Sequence, residues 1–216
     1  LHLSIRRQRQ MCIRDSNPIL MLQYANFDSD LKIVTGVRKY GEVGFVYPMQ
    51  WKFGFLKSTV KYRSVSYSLK NHNLIDGKNP SSSSPLVTID AGIFADRSTK
   101  IFGQKFYQTI EPRFFYLFSK HRNQSDQPIF DTAELTFNFQ QLYRSRWVTG
   151  YDRFQKANQL STGITTRYVS SKSGIEYLNA SLGKIFYFAD KDKFSIDSLT
   201  PFQTGKSDFF AQLNFI

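Results

Sequence analysis

The chain has 216 residues, with 29 Lys+Arg against 17 Asp+Glu for a formal net charge of +12, 41% hydrophobic residues, and 16% aromatics that include 21 Phe and 12 Tyr. That length suits one domain of the barrel or sandwich type, and at a mean hydropathy of −0.39 no apolar run approaches the ~18 residues a membrane helix needs. The Lys and Arg residues are scattered, with no basic helix or zinc-finger spacing, so no nucleic-acid partner is expected. The positive balance belongs either to solvated loops and a polar lumen, or to a lumen and rim that attract anionic groups.

Residues 1–16, LHLSIRRQRQMCIRDS, fit nothing that follows. They lack an initiator Met and an apolar core, so they do not read as a signal peptide. The ending MCIRDS resembles translated sequencing adaptor, and the segment is set aside as non-native. Cys12, the single cysteine, leaves with it, so no disulfide or metal cluster is expected. Residues 17–216 are read as one partial barrel domain.

Residues 17–27 form a first strand with imperfect alternation, followed by a polar connection over 28–36. From Val37 the alternation sharpens. Val43, Phe45, Tyr47, Met49, Trp51, Phe53 and Phe55 share one parity against Glu42, Gln50 and Lys52. The aromatics around Trp51–Gly54 mark a tight turn and an interfacial belt. Residues 56–69 return, and their apolar parity changes between Tyr62 and Val65, which predicts a bulge. Residues 70–85 contain DGKNPSSSSP and read as a loop. Val87, Ile89, Ala91, Ile93 and Ala95 then alternate with Thr88, Asp90, Gly92 and Asp96, and 97–103 reads as a short link.

The stretch 106–119 is the clearest strand. Phe106, Ile110, Pro112, Phe114, Tyr116 and Phe118 fall on one face, and Tyr107, Thr109, Glu111, Arg113 and Ser119 on the other. Gln108 is out of place on the first face, Phe115 and Leu117 on the second. At about 3.3 Å per residue the stretch reaches about 43 Å, enough for a tilted strand to cross a bilayer. Pro112 cannot donate to a ladder, which predicts a local break or bulge.

Residues 119–157 are the longest irregular stretch, long enough to imply a function, with a short helix or hairpin expected near 137–147. Strands follow at 158–170 and 175–189, joined by the turn SKSG at 171–174. Leu178, Ala180, Leu182, Phe186 and Phe188 form the oily face of the second, and Lys184 breaks it in a way that suggests a register shift. A polar loop over 190–206 leads to a last strand. Long and short connections alternate along the chain. That segregation, with about eight long strands, predicts an all-β, antiparallel transmembrane β-barrel present as an incomplete fragment of a large outer-membrane barrel.

Three linked segments carry a further signal: EPRFFYLF from Glu111, RNQSDQPIFDT ending at Thr132, and GYDRFQKANQL over 150–160. Together they resemble the barrel domain of the LptD family of LPS-assembly proteins, most clearly over 86–188. The resemblance implies a cell-outer-membrane translocon that inserts lipopolysaccharide into the outer leaflet and is not an enzyme. It also implies an LptE-type lipoprotein plug, a periplasmic transport bridge met through an N-terminal domain outside this chain, outer-membrane lipid around the wall, and no cofactor. Two alternatives stand beside it: another outer-membrane barrel, such as a porin or uptake receptor, or a soluble all-β binding module.

No catalytic constellation is found. The three His are isolated, there is no G-x-S-x-G, and TGKS at 204–207 lacks the first Gly of a phosphate loop. Asp126 and Asp131 could chelate a cation, but such pairs are common in surface loops. Glu111 and Arg113 project together to the interior, where they pair with each other or with neighbouring strands. Their role is either an ion-pair network that fixes the wall or direct contact with glycolipid. The same choice applies to the motif residues Asp131, Asp152, Arg153, Asn158 and Gln159. Ile110, Pro112, Phe114, Tyr116, Leu178 and Leu182 are expected to face lipid.

Overall fold

A computed structural model describes residues 16–31, 33–70, 79–120, 124–135, 138–188 and 209–215. All but one residue of the segment set aside at the amino end lies outside these, as do His72, His121 and the 190–206 loop. The described chain is one antiparallel sheet. Its strands are β1 (Asn17–Phe27), β2 (Thr35–Trp51), β3 (Gly54–Lys70), β4 (Ser81–Ile93), β5 (Ala95–Ile101), β6 (Gln104–Ser119), β7 (Ala157–Ser170), β8 (Glu176–Tyr187) and β9 (Phe209–Phe215). The order β1-β2-β3-β4-β6-β7-β8-β9, with β5 paired to β6, leaves the sheet unclosed. This is the arc of an incomplete barrel.

Each strand separates two faces, and one of them carries the long connection between β6 and β7. We call that face inner. On the outer face Leu20, Leu22, Val43, Phe45, Val60, Ile89, Phe114, Ile164 and Leu182 are exposed, with Leu22 at 77% and Phe114 at 46%. On the inner face the buried residues form three apolar clusters, each packed with residues of the 120–156 connection. The core is therefore the contact between the sheet and its own loop.

That arrangement corrects the bulge expected in β3. Its pairing with both β2 and β4 runs without a register shift. The parity changes because the inner face itself becomes apolar. Val65, Tyr67 and Leu69 are buried against Phe154 and Phe130, while Ser64, Ser66 and Ser68 take the outer side. Phe115 and Leu117, out of place in the sequence reading of β6, have the same explanation, packed inward with Leu86, Ala157 and Tyr143.

The expected link at 97–103 is also corrected, since β5 continues to Ile101 and only Phe102 and Gly103 turn, both at positive φ. β4 and β5 hold a common register on β6, with Gly92↔Arg113 before the gap and Ala95↔Ile110 after it. The interruption falls opposite Glu111 and Pro112, and Pro112 has no N–H to give; the Phe94 N–H turns to the Phe53 carbonyl instead. The loop expected over 70–85 is shorter, because Ser81–Pro85 already pair with β3. Lys184 causes no register shift; the irregularity in that hairpin lies at Tyr168/Val169. Lys184 keeps the outer parity, and its Nζ rests 4.3 Å from the Phe209 ring centre and 5.7 Å from that of Phe186.

Candidate functional site

The loop between β6 and β7 is seated on the inner face at two places. At the first, a 3₁₀ helix (Phe139–Tyr143), capped by the Asn138 side chain accepting from the Gln141 N–H, lies directly on the strand backbone. Gly163 on β7 and Gly183 on β8 are register partners. A Cβ on Gly163 would overlap the Tyr143 hydroxyl, and one on Gly183 would overlap Leu142. Two facing glycines thus make a bare patch on which a short helix fits, and Leu142 is fully buried there. The Tyr143 ring then covers the Arg113 guanidinium at 4.2 Å, and burial pushes the Tyr143 phenol up to about 12, so the ring stays neutral.

At the second place the fastening is ionic. Asp152 is 0% exposed. Its Oδ1 accepts from Arg38 Nη1 at 2.6 Å and from the Tyr67 hydroxyl at 3.0 Å. Its Oδ2 accepts from the Phe130 N–H at 2.9 Å, the Asp131 N–H at 3.1 Å and the Thr132 hydroxyl at 3.0 Å. One carboxylate therefore ties two strands to the FDT segment of the same loop. Asp131 closes the arrangement from the other side, taking Arg38 Nη1 at 2.5 Å and Nη2 at 2.7 Å. Arg38 is 1% exposed. Its guanidinium lies 5.1 Å from the Phe27 ring centre and 5.7 Å from that of Tyr151. Burial of this kind is tolerated only when each charge is paired and hydrogen-bonded.

The Arg38 hydrogen bonds hold the Asp131 carboxyl below the usual carboxylate range. Arg153 binds the loop to itself, donating to the Gln127 carbonyl at 2.7 Å and the Pro128 carbonyl at 2.9 Å. Gln124 does the same through the Phe154 backbone, giving and receiving one hydrogen bond. Gly150 holds φ +61, and a Cβ there would strike Asp131.

Among the described residues no group of His, Cys, Asp and Glu could hold a metal ion. Asp131, weighed above as a cation ligand, is committed to Arg38. Among the described residues this arrangement is a fastening of the loop to the sheet.

The family model for LptD, LPS transport system D, matches residues 3–216. The chain belongs to the LptD family. It is 40% identical over 156 residues to the LPS-assembly protein LptD of Xylella fastidiosa strain Temecula1, covering 71% of this chain and 20% of that protein. It is 40% identical over 153 residues to the LptD of Pseudomonas savastanoi pv. phaseolicola, covering 67% and 16%. It is 35% identical over 181 residues to the LptD of Xanthomonas axonopodis pv. citri, covering 78% and 22%. The chain therefore spans about a fifth of the length of the curated relatives it matches.

In this LptD-family chain the structure brings Asp131, Asp152 and Arg153 together in the loop fastening. It leaves the other motif residues elsewhere. Glu111 and Arg113 pair with neighbouring strands and not with each other: Arg113 donates to Asp90 at 2.8 and 2.7 Å, and Glu111 accepts from Arg167 at 3.2 Å. Gln159 is buried on the inner face of β7, while Asn158 lies on the outer parity and accepts from the Tyr116 hydroxyl at 3.0 Å. Ile110, Pro112, Phe114, Tyr116, Leu178 and Leu182 all take the outer parity. Sequence reading missed Arg38, Arg63 and Tyr67. The only available signal was the apolar turn of the inner parity in β3, which reports that something covers it.

Proposed function

We propose that this chain is part of the wall of an outer-membrane translocon that inserts lipopolysaccharide into the outer leaflet. In that setting a lipoprotein plug sits inside the barrel, and a periplasmic bridge is met through an N-terminal domain of the full-length protein. The observation that carries the reading is the sequence relationship to proteins named for LPS assembly, coupled to a sheet with one oily and one polar face. Ile110, Pro112, Phe114, Tyr116, Leu178 and Leu182 would meet membrane lipid. Glu111, Arg113 and Gln159 would line the interior, with Asp131, Asp152 and Arg153 holding the loop. A soluble binding module would cover its oily face with a second sheet, and the described residues form only one.

The test is photo-cross-linking in cells that make the full-length protein. A benzophenone side chain at Asn179, on the inner face of β8, should yield lipopolysaccharide adducts, and one at Leu182, on the outer face, should not. Adducts at Leu182 with none at Asn179 would reverse the assignment of faces and remove the reading.

A further inference from the structure

Arg63 is the one strand arginine on the inner face that is buried without a carboxylate partner among the described residues. It is 5% exposed, its Nη2 donates to the Ser119 hydroxyl at 2.8 Å, and its Nε meets no acceptor. Glu42 stands opposite it in the β2–β3 register, but that carboxylate is already taken by Lys61 Nζ and the Tyr40 hydroxyl, both at 2.9 Å. Arg146, from the loop, adds a second positive charge to its surroundings. Beside it on β4, Ser84 is fully buried and donates to the Lys120 carbonyl, and two residues away on the same face the buried Ser82 hydroxyl has no partner among the described residues. A cluster of buried donors with spare capacity and surplus positive charge is the chemistry of an anion site.

What occupies the place of the anion is a ring. Phe154 roofs the Arg63 guanidinium at 4.9 Å, two residues beyond Asp152. The pattern is repeated along the wall: Tyr151 lies over Arg38 and Tyr143 over Arg113. At Arg38 the loop also supplies carboxylates, and Asp131 grips the guanidinium through both oxygens in the forked geometry that phosphate oxygens also adopt. Along the strands Arg38 lies about 13 Å beyond Arg63.

We propose that Arg63, with Ser82 and Ser119, is a masked site for a phosphate group of the glycolipid headgroup, and that the loop competes with that phosphate for Arg63 and Arg38. The inference rests on the transport reading above and adds to it the residues that contact the headgroup. The loop aromatics keep a desolvated cationic surface from binding free anions when no glycolipid is present.

The test uses the full-length protein with its lipoprotein partner in detergent, and heat-modifiable migration selects folded variants. Phe154→Ala should raise affinity for phosphorylated lipopolysaccharide about tenfold, as expected for one recovered charged hydrogen bond. Asp152→Asn, which frees the loop by a different route, should raise it in the same direction. Adding Arg63→Gln to either variant should return the affinity to that of the parent protein. Chemically dephosphorylated lipopolysaccharide should show no gain. A gain that survives Arg63→Gln, or that extends to the dephosphorylated lipid, would overturn the site. Millimolar inorganic phosphate should compete for Arg63 and reduce the gain, and a gain untouched by saturating phosphate would overturn the phosphate assignment. If parent and variants alike bind no lipopolysaccharide, the transport reading itself falls and takes this inference with it.

Discussion

The Asp152 carboxylate and the Arg38 guanidinium meet at 2.6 Å with both side chains fully buried, although they lie 114 positions apart in the chain. A contact this distant in sequence is formed only after β2 and the β6–β7 loop are both in place. It reports the seating of the loop rather than the pairing of strands.

Breaking that contact should release the loop and leave the sheet. Asp152→Ala leaves Arg38 with Asp131 but removes the acceptor of the buried Tyr67 and Thr132 hydroxyls and the Phe130 N–H, a loss of about 1–3 kcal/mol for each buried donor left unpaired. No strand-to-strand hydrogen bond depends on Asp152. The expected result in the full-length protein is rapid protease cleavage near 124–135 with heat-modifiable migration retained. Loss of the folded band would show that the loop is needed for the wall to form.

The pH dependence of the fastening follows from Asp131. Its folded value lies below the ordinary 3.8, chiefly through the Arg38 hydrogen bonds. A depressed carboxylate stabilises the folded form above its unfolded value and loses that contribution as the pH falls through the folded value. Protease resistance of the loop should therefore be flat from roughly pH 8 to pH 5 and decline only below about pH 4. The Asp131 side chain is 40% exposed, so the decline should be shallow and weaker in high salt. A midpoint near neutrality would mean that another group controls the loop.

The bare glycine patch makes a steric prediction. Gly183→Ala should push Leu142 off β8, at a loss of about 1–3 kcal/mol for an overpacked contact. Combining it with Leu142→Ala should recover part of that loss by vacating the space. Loop protection by hydrogen exchange reads the effect. If the double variant is worse by the full sum of the singles, the two side chains do not compete for one volume.

The inner charges divide into pairs that a double-mutant cycle can separate. Arg113→Gln and Asp90→Asn should be non-additive by roughly 0.5–3 kcal/mol, since each removes the other's partner. Arg113→Gln and Glu111→Gln should add, because Glu111 leans on Arg167. Thermal unfolding of the full-length barrel in detergent measures both. Coupling between 111 and 113 instead would mean that the pair closes on itself.

The strands were readable from the sequence because period-two alternation is enforced where the two sides of a barrel wall differ, oily outside and polar within. Phe114 against Arg113 shows this directly. The reading failed where the inner side was not polar. At Val65, Tyr67 and Leu69 the loop supplies an apolar surface, so an unbroken strand imitates a bulge. At Arg97 the polarity of ADRSTK hid a strand that pairs residue for residue with β6. The fastening was half legible, because Asp131, Asp152 and Arg153 sit in recognisable segments. Arg38 sits in a polar-parity strand position that looks like any other lumen residue, and only the folded loop shows its purpose.

The loop touches both margins of the described arc. Phe130 stacks on Phe27 of β1 at 4.2 Å, and the 3₁₀ helix packs with Phe210 of β9. A segment joined to both ends of a curved sheet is a chord, and for an arc of given length the chord sets the radius. The loop thus braces the bend of this wall from within. Lengthening or shortening the loop between Asp131 and the 3₁₀ helix would change the circumference for which the open edges of β1 and β9 are prepared.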